Sequence, residues 1–476
     1  MTAPASRVRR DLQGLRAVAV VAVVVTHLTG WPRGGFVGVD VFFVLSGFLV
    51  TGILLTDLRQ SGTVRLGAFI ARRVTRLLPA ALVVLGAVVA TAFAVFSPVR
   101  AEKTLGDALS ALGLVSNWRF GIEGRDYFAA TDVSPLQHFW SLSVEEQFSL
   151  LWPLVVILAV CALPAEARRG RGGRLAIGAA ALAVVGASAL AAMSLTPVDA
   201  SLAYFSTLTR AGELGVGAVL AASAPLLSRL PAFPRGLVAW TGGAVVVAAF
   251  FVVDPTQPFP APWAAMPVVG AALVIAGGIG GDPRHRHLFV LTNPLSVALG
   301  NASYSLYLWH LPVIVFAGVL LSPGPAATAI TVLTMLVLTV ATYLGVEQPL
   351  HRAPWPAARS SQDATPADAS TAGAPAASTP AVSAPTPPTA SPAPAAPRRT
   401  VAQTSRPVGW VPGQRYYPGA RPPAATAASA STASSAVGLP DEGAADTAIP
   451  ATPRRTAPAA PDSRPAREPS LPAAPV

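Results

Sequence analysis

The sequence predicts an all-α integral membrane protein of about ten transmembrane helices, followed by a disordered C-terminal tail. Three observations lead to this fold class. Hydrophobic residues make up 52% of the 476 residues and charged residues only 12%, whereas soluble domains are about 25% charged. The apolar residues come in repeated runs of roughly 20, the length that crosses a bilayer. The composition then changes near residue 352, beyond which proline, alanine, serine and threonine dominate.

Ten apolar runs are candidate spans. They lie at roughly 14–31, 36–56, 77–97, 143–163, 175–195, 202–222, 237–253, 263–281, 302–321 and 326–346. The first run is not expected to be a cleaved signal peptide, because nine more runs follow it. Segment 98–142 contains one apolar stretch, Leu105 to Val115, which is too short to span and suits a re-entrant or surface helix.

The arginines predict how the spans are oriented. They cluster before the first run and in every second connection, and the alternate connections hold almost none. Because short cytoplasmic loops are enriched in arginine and lysine, both termini are expected on the cytoplasmic side. Topology therefore accounts for these arginines, and no nucleic-acid partner is predicted.

The composition divides the chain into a membrane-embedded domain, 1–352, and a tail, 353–476. The tail is rich in Pro, Ala, Ser and Thr and poor in aromatic residues. Such a segment cannot bury enough apolar surface to offset the entropy lost on ordering, so disorder is expected. The short island 411–417, "VPGQRYY", is a candidate docking motif for a protein partner.

Ionisable residues inside apolar runs are costly and are therefore candidates for function. Arg16 and His27 are eleven residues apart in the first run, which places them on one helix face about 16 Å apart. A guanidinium suits phosphate, and a histidine suits proton transfer near neutral pH. Asp40, near the start of the second run, is a candidate to orient His27. The alternatives are an arginine anchor, a buried structural histidine and a helix-start acid.

A second cationic group precedes the third run. Arg72, Arg73 and Arg76 are adequately explained as anchors on the cytoplasmic side. They would equally suit an anionic cofactor at that face, and the sequence leaves both interpretations open.

The stretch "PLQHFWSLSVEEQF" leads into the fourth run. Ser143 and Glu146 have the spacing of a capping box, which gives Glu146 a local structural role. Glu145 has no such role and is the candidate for chemistry. His138 is expected to be an exposed loop residue.

Two later runs also carry polar residues. Arg210 and Glu213 are three apart and are expected to pair on one helix face, with substrate contact as the alternative. Tyr304, Tyr307 and His310 recur every three residues and should line a cavity that binds substrate. Glu347 and the residues after it are expected to end the last helix.

Several function classes lose support because their motifs are missing. The sequence has no P-loop, no G-x-S-x-G elbow and no HExxH motif. The single cysteine, Cys161, excludes a disulfide scaffold and a zinc-thiolate site. No metal site is predicted.

Six pieces of the sequence together resemble the acyltransferase-3 family of integral membrane O-acyltransferases. They occur in family order across residues 10–352. The pieces are R-x10-H (Arg16, His27), "GGFVGVDVFFVLSGFL", "RRVTRLLP", "FWSLSVEEQFSLLWP", "YSLYLWHLP" and "VEQPLHR".

The resemblance implies transfer of an acyl group, often acetyl, from cytoplasmic acyl-CoA to a hydroxyl of a sugar-containing acceptor. It also implies a bacterial plasma membrane location, an essential role for His27 with Arg16 as its partner, and a role for the carboxylate at Glu145. Many family members carry a further SGNH esterase-like domain, whereas this tail has no catalytic constellation. Transfer by the membrane domain itself, or hand-over to a separate protein, is therefore expected.

These observations combine into one hypothesis. Arg16, Arg72, Arg73 and Arg76 hold the phosphates of acyl-CoA, which is a co-substrate and not a permanently bound cofactor. The thioester reaches His27, which acts as general base or carries the acyl group briefly. Asp40 or Glu145 orients or charge-balances this histidine. The alternative is a transporter or lipid-handling permease with Arg210, Glu213 and His310 on a substrate path.

Overall fold

A computed structural model describes residues 9–129, 131–280 and 288–352. The predicted tail, 353–476, lies outside these residues. The described parts of the chain are helical and contain no β-strand. The helices in chain order are α1 (Arg10–Thr29), α2 (Gly38–Ser61), α3 (Leu66–Val95), α4 (Pro98–Leu112), α5 (Ser116–Ile122), α6 (Phe139–Cys161), α7 (Ala165–Arg169), α8 (Arg171–Leu195), α9 (Ala200–Phe205), α10 (Thr207–Leu227), α11 (Ala232–Val252), α12 (Ala265–Gly278), α13 (Phe289–Thr292), α14 (Pro294–Asn301), α15 (Ser303–Leu320), α16 (Pro325–Thr342) and α17 (Gln348–Arg352).

The predicted all-α membrane fold is confirmed. Among the described residues, eight helical segments are long and apolar enough to cross a bilayer, and each matches a predicted span. The other two predicted spans correspond to α10 and α12. Helix α10 is long enough but carries Arg210 and Glu213, and α12 has only 14 residues.

Segment 98–142 forms two short helices, α4 and α5, between the long helices α3 and α6. Neither has the roughly 20 residues that a span requires. The expectation that the apolar stretch from Leu105 to Val115 does not span is therefore confirmed. Helix α5 packs against α6 and α9, so this segment sits over one end of the bundle.

Small residues allow a close crossing of helices α2 and α10. Helix α10 packs against α2 and α8, and α1 packs against α2, α14 and α15. At the α2–α10 crossing, a Cβ on Gly47 would overlap the backbone of Leu214, and a Cβ on Gly217 would overlap the carbonyl of Val44. Two glycines therefore let the helix backbones touch, as small residues do in other membrane helices.

The last span does not end where the sequence suggested. One π-helical turn, Tyr343–Glu347, follows α16, and the chain then continues into α17. Glu347 is buried, and its Oε2 accepts a 2.7 Å hydrogen bond from Ser305 Oγ of α15. The expectation that Glu347 only ends the helix is wrong, because the π turn directs its carboxylate into the bundle.

Candidate functional site

Three histidines from distant parts of the sequence meet in the bundle; we call them the histidine cluster. The rings of His27 on α1 and His310 on α15 are 5.2 Å apart between centroids. His138, just before α6, lies 5.1 Å from His310. The expectation that His138 is exposed is wrong: it is buried, because the loop before α6 folds against α15.

A backbone carbonyl fixes the protonation pattern of each ring. His27 Nδ1 lies 2.9 Å from Val23 O, His310 Nδ1 lies 2.5 Å from Tyr307 O, and His138 Nε2 lies 3.1 Å from Leu308 O. Because a carbonyl only accepts, each of these nitrogens carries an N–H, and burial of all three rings favours the neutral form. The other nitrogen of each ring therefore carries a lone pair.

These three lone pairs differ in what they meet. His27 Nε2 accepts a 3.2 Å hydrogen bond from the hydroxyl of Tyr127. His138 Nδ1 and His310 Nε2 are buried and have no hydrogen-bond partner among the described residues. Buried polar atoms are nearly always paired, so these two nitrogens are available to accept hydrogen bonds.

Tyrosine hydroxyls complete this end of the site. Tyr307 Oη lies 2.7 Å from Ser141 Oγ and donates to the carbonyl of His138 at 3.2 Å. Tyr127 stacks on Tyr204 with 4.5 Å between ring centroids. Burial raises the pKa of Tyr127 to about 12 and lowers the pKa of His138 to about 3. Both groups are therefore neutral at pH 7.

A second group, the charged cluster, lies at another level along the same helices. The Arg73 guanidinium contacts Glu146 Oε1 at 2.6 Å and Oε2 at 3.0 Å, and Glu145 Oε1 at 3.0 Å. Arg16 and Arg76 interact electrostatically with both Glu145 and Glu347. The charged cluster thus consists of Arg16, Arg73, Arg76, Glu145, Glu146 and Glu347.

One prediction about this region is wrong. The capping-box role of Glu146 is wrong, because α6 begins at Phe139 and Ser143 lies inside the helix. Glu146 instead holds Arg73 with two hydrogen bonds. Arg72 and Arg76 are both exposed on α3, whereas Arg73 is half-buried, and the joint role of these three arginines stays a prediction.

The same three helices connect the two clusters. Helix α1 carries Arg16 in one and His27 in the other. Helix α6 begins beside His138 and continues to Glu145. Helix α15 runs from Tyr304, which donates to the carbonyl of Leu77 at 2.9 Å, to His310. The predicted stripe of Tyr304, Tyr307 and His310 therefore extends from the charged cluster to the histidine cluster.

The third buried group is an ion-pair triad on α2 and α10. Arg210 Nη2 lies 3.1 Å from Asp40 Oδ1, and Arg210 Nη1 lies 2.7 Å from Glu213 Oε1. The predicted pairing of Arg210 with Glu213 is confirmed. Four aromatic rings lie 5.1 to 5.7 Å from this guanidinium: Phe43, Trp140, Tyr204 and Phe259.

Asp40 does not orient His27 as predicted. Its carboxylate contacts Arg210, and the two ring nitrogens of His27 are bonded to Val23 and Tyr127. Glu145 likewise contacts Arg73 and not His27. Tyr127 therefore has the orienting position that the sequence assigned to a carboxylate. In the described residues, no group of three or more histidine, cysteine, aspartate or glutamate side chains could hold a metal ion.

Comparison with known proteins identifies the family. Residues 9–346 match acyltransferase-3, described as an acyltransferase domain. The chain belongs to the acyltransferase-3 family. The match confirms the resemblance to this family that the six sequence pieces indicated. No solved structure matches the chain.

Curated relatives agree with membership of the acyltransferase-3 family. The chain is 30% identical over 355 residues to O-acetyltransferase OatA of Staphylococcus aureus (strain NCTC 8325 / PS 47), covering 72% of this chain and 57% of that protein. It is 35% identical over 315 residues to peptidoglycan O-acetyltransferase OatA of Listeria monocytogenes, covering 64% of this chain and 49% of that protein. The chain thus matches roughly half of each relative's length.

Proposed function

We propose that the chain transfers an acetyl group from acetyl-CoA to a hydroxyl of a carbohydrate-containing acceptor, such as a cell-surface glycan, at a bacterial plasma membrane. One observation carries this proposal: Arg16 and His27 share a face of α1, and each belongs to a cluster suited to one substrate. The names of the two relatives, one of them a peptidoglycan O-acetyltransferase, support the acetyl group and the acceptor class.

The charged cluster is the proposed donor end. CoA is anionic, and guanidinium groups suit phosphate. Arg73 is already committed to Glu145 and Glu146. Arg16 and the exposed Arg72 and Arg76 are therefore the proposed phosphate contacts, and Arg73 holds the local structure. Because arginines cluster in every second connection, we place this end and both termini on the cytoplasmic side.

The histidine cluster is the proposed reaction centre. The acceptor hydroxyl replaces Tyr127 at His27 Nε2 and gives that nitrogen its proton, while its oxygen bonds to the thioester carbonyl carbon. The carbon–sulfur bond then breaks, and the CoA thiolate takes the proton back from His27. The unpaired nitrogens of His138 and His310 accept hydrogen bonds from other hydroxyls of the acceptor.

The transporter alternative required Arg210, Glu213 and His310 to line one substrate path. Arg210 is fully buried and salt-bridged to two carboxylates, and His310 lies against His27. This placement favours a structural role for Arg210 and a catalytic environment for His310.

Radiolabelled acetyl-CoA tests the proposal. Membranes carrying wild type, His27→Gln or the control Val21→Ala are incubated with label, and base-labile O-acetyl products are counted. Val21 lies on the same helix with its side chain exposed. We expect His27→Gln to lower transfer by about 10²- to 10⁴-fold, the usual contribution of a general base, and Val21→Ala to leave it unchanged.

Transfer that persists in His27→Gln would contradict the proposed base. Acetyl label recovered on His27 itself would support the acyl-carrier role instead. The donor end is tested with Arg76→Gln, which should raise the KM for acetyl-CoA by about 10-fold or more, the loss of a charged hydrogen bond. Arg59→Gln, an exposed arginine bonded to Thr56, is the control and should not change KM.

A further inference from the structure

A large groove opens on the side of the bundle between α8, α10 and α12. Its volume is about 1150 Å³, at the upper end of or above the roughly 300–1,000 Å³ of typical ligand pockets. We call it the lateral groove. Its apolar walls are formed by Val185, Ala189, Met193, Val216, Val268 and Val269.

The lateral groove is long and faces the lipid. On α8 its lining extends from Val185 to Thr196, eleven residues or about 16 Å of helix rise. That is about half of the 30 Å hydrocarbon core of a bilayer. Met193 is 67% exposed and Val269 51% exposed. On membrane helices such exposed apolar walls meet hydrocarbon, so the groove is open to lipid chains.

One end of the lateral groove is polar. Arg125, Asp126, Thr256 and Gln257 line it there. Tyr127 also lines the groove, and its hydroxyl lies 3.2 Å from His27 Nε2. The lining is therefore amphiphilic. Its apolar part is long enough for a lipid chain, and only the side chain of Tyr127 separates its polar end from His27, the proposed base.

We propose that the lateral groove binds the hydrocarbon chain of a lipid-anchored acceptor, whose hydroxylated sugar head lies at the polar end beside Tyr127 and His27. The assignment of the head as acceptor rests on the proposed function. A water-soluble sugar alone has no chain to cover the apolar walls, and burying methylenes there is favourable by the hydrophobic effect. The donor approaches His27 from the charged cluster, so chain and donor do not compete.

Photo-labelling of the full-length protein in vesicles tests the groove without relying on activity. The probe is an octadecyl glucoside with a diazirine in its alkyl chain, and the vesicles contain phosphatidylethanolamine and phosphatidylglycerol. Ala189→Trp fills the groove. The matched control is Leu190→Trp, since Leu190 is the next residue on α8, is 70% exposed and does not line the groove.

We expect labelled peptides from α8, α10 and α12 in wild type and Leu190→Trp. In Ala189→Trp this labelling should fall about tenfold, because excluding even a few methylenes removes that much binding. Unlabelled octadecyl glucoside should compete. Label that spreads over all lipid-facing helices, or does not respond to Ala189→Trp, would overturn the proposal. If extra phosphatidylglycerol competes with the probe as well as octadecyl glucoside does, the groove binds bulk lipid and the proposal is also overturned.

Acetyl transfer to octadecyl glucoside is then compared with transfer to methyl glucoside. Wild type and Leu190→Trp should prefer the long chain, and Ala189→Trp should lose the preference while still acetylating methyl glucoside. Equal use of both acceptors by wild type would overturn a lipid-anchored acceptor. Specific groove labelling with no transfer to either would count against the proposed transfer to sugar, and would leave the lipid site standing.

Discussion

The hydroxyl of Tyr127 donates a 3.2 Å hydrogen bond to Nε2 of His27, a residue 100 positions away in the sequence. The other ring nitrogen of His27 is held by the carbonyl of Val23. Both nitrogens are thereby fixed, and the lone pair of Nε2 points toward Tyr127. The carbonyl of Val23 thus sets the tautomer, and Tyr127 occupies the lone pair through which His27 can act.

Because the acceptor hydroxyl must displace Tyr127 from Nε2, Tyr127→Phe should raise acetyl transfer by about fivefold, the worth of roughly 1 kcal/mol of hydrogen bonding, without unfolding the protein. Tyr343→Phe is the control, since Tyr343 is a tyrosine of the π turn after α16. Steady-state rates in membranes with each variant measure the effect. An unchanged rate would show that the acceptor does not have to displace Tyr127 from His27.

The pH dependence of stability follows from the same tyrosine. Burial raises the pKa of Tyr127 to about 12, above its ordinary value near 10. The neutral phenol is therefore favoured by folding, and its contribution is fully present below about pH 10 and lost as pH rises toward 12. Thermal unfolding in detergent should show an alkaline loss of stability that is smaller in Tyr127→Phe.

Arg73 and Arg72 offer a matched pair at the charged cluster. Arg73→Ala leaves Glu145 and Glu146 half-buried without their cation, and should cost about 1.5–3 kcal/mol of unfolding free energy. Arg72→Ala removes an exposed side chain and should stay within about 0.5 kcal/mol. Denaturant unfolding of both variants decides this, and equal costs would show that the contacts of Arg73 contribute nothing.

The buried triad predicts unequal effects of its members. Arg210→Gln leaves Asp40 and Glu213 facing each other without a cation, and should cost about 3–5 kcal/mol. Asp40→Asn keeps one carboxylate for one guanidinium and should cost clearly less. The comparison is made by denaturant unfolding of both variants. A larger cost for Asp40→Asn would refute the view that one cation is shared between two carboxylates.

The helix crossing can be tested with two glycines of α2. A Cβ on Gly47 would overlap the backbone of α10, whereas nothing lies within 4 Å of a Cβ on Gly52. Gly47→Ala should destabilise by about 1–3 kcal/mol through overpacking, and Gly52→Ala should be neutral or stabilising by up to about 1 kcal/mol. Thermal unfolding in the same detergent compares them, with the reverse order as the contradicting result.

The sequence predicts the fold better than the contacts of the site. Apolar runs of about 20 residues locate eight spans, because a run of that length is typical of a transmembrane helix. The shared face of Arg16 and His27 follows from helix geometry alone. Partners on other helices are different: nothing local connects Asp40 with Arg210, 170 residues later, or Glu146 with Arg73.

His138 shows why local patterns mislead. It precedes a predicted span and follows a polar loop, which is typical of an exposed residue. Its burial depends on the loop packing against α15, where it donates to Leu308. The motif "PLQHFW" was the available signal, and only the tertiary packing shows that it brings a histidine to His27 and His310.

The spacing of eleven residues on α1 fixes the distance and the rotation between Arg16 and His27, one in each cluster. A substitution between Arg16 and His27 leaves the spacing of the two ends unchanged, whereas adding one residue would turn His27 by about 100° around the helix. On α6 and α15 the two clusters are closer in sequence, seven residues apart from His138 to Glu145 and six from Tyr304 to His310. Insertions and deletions in any of the three helices would therefore break the alignment of both ends at once.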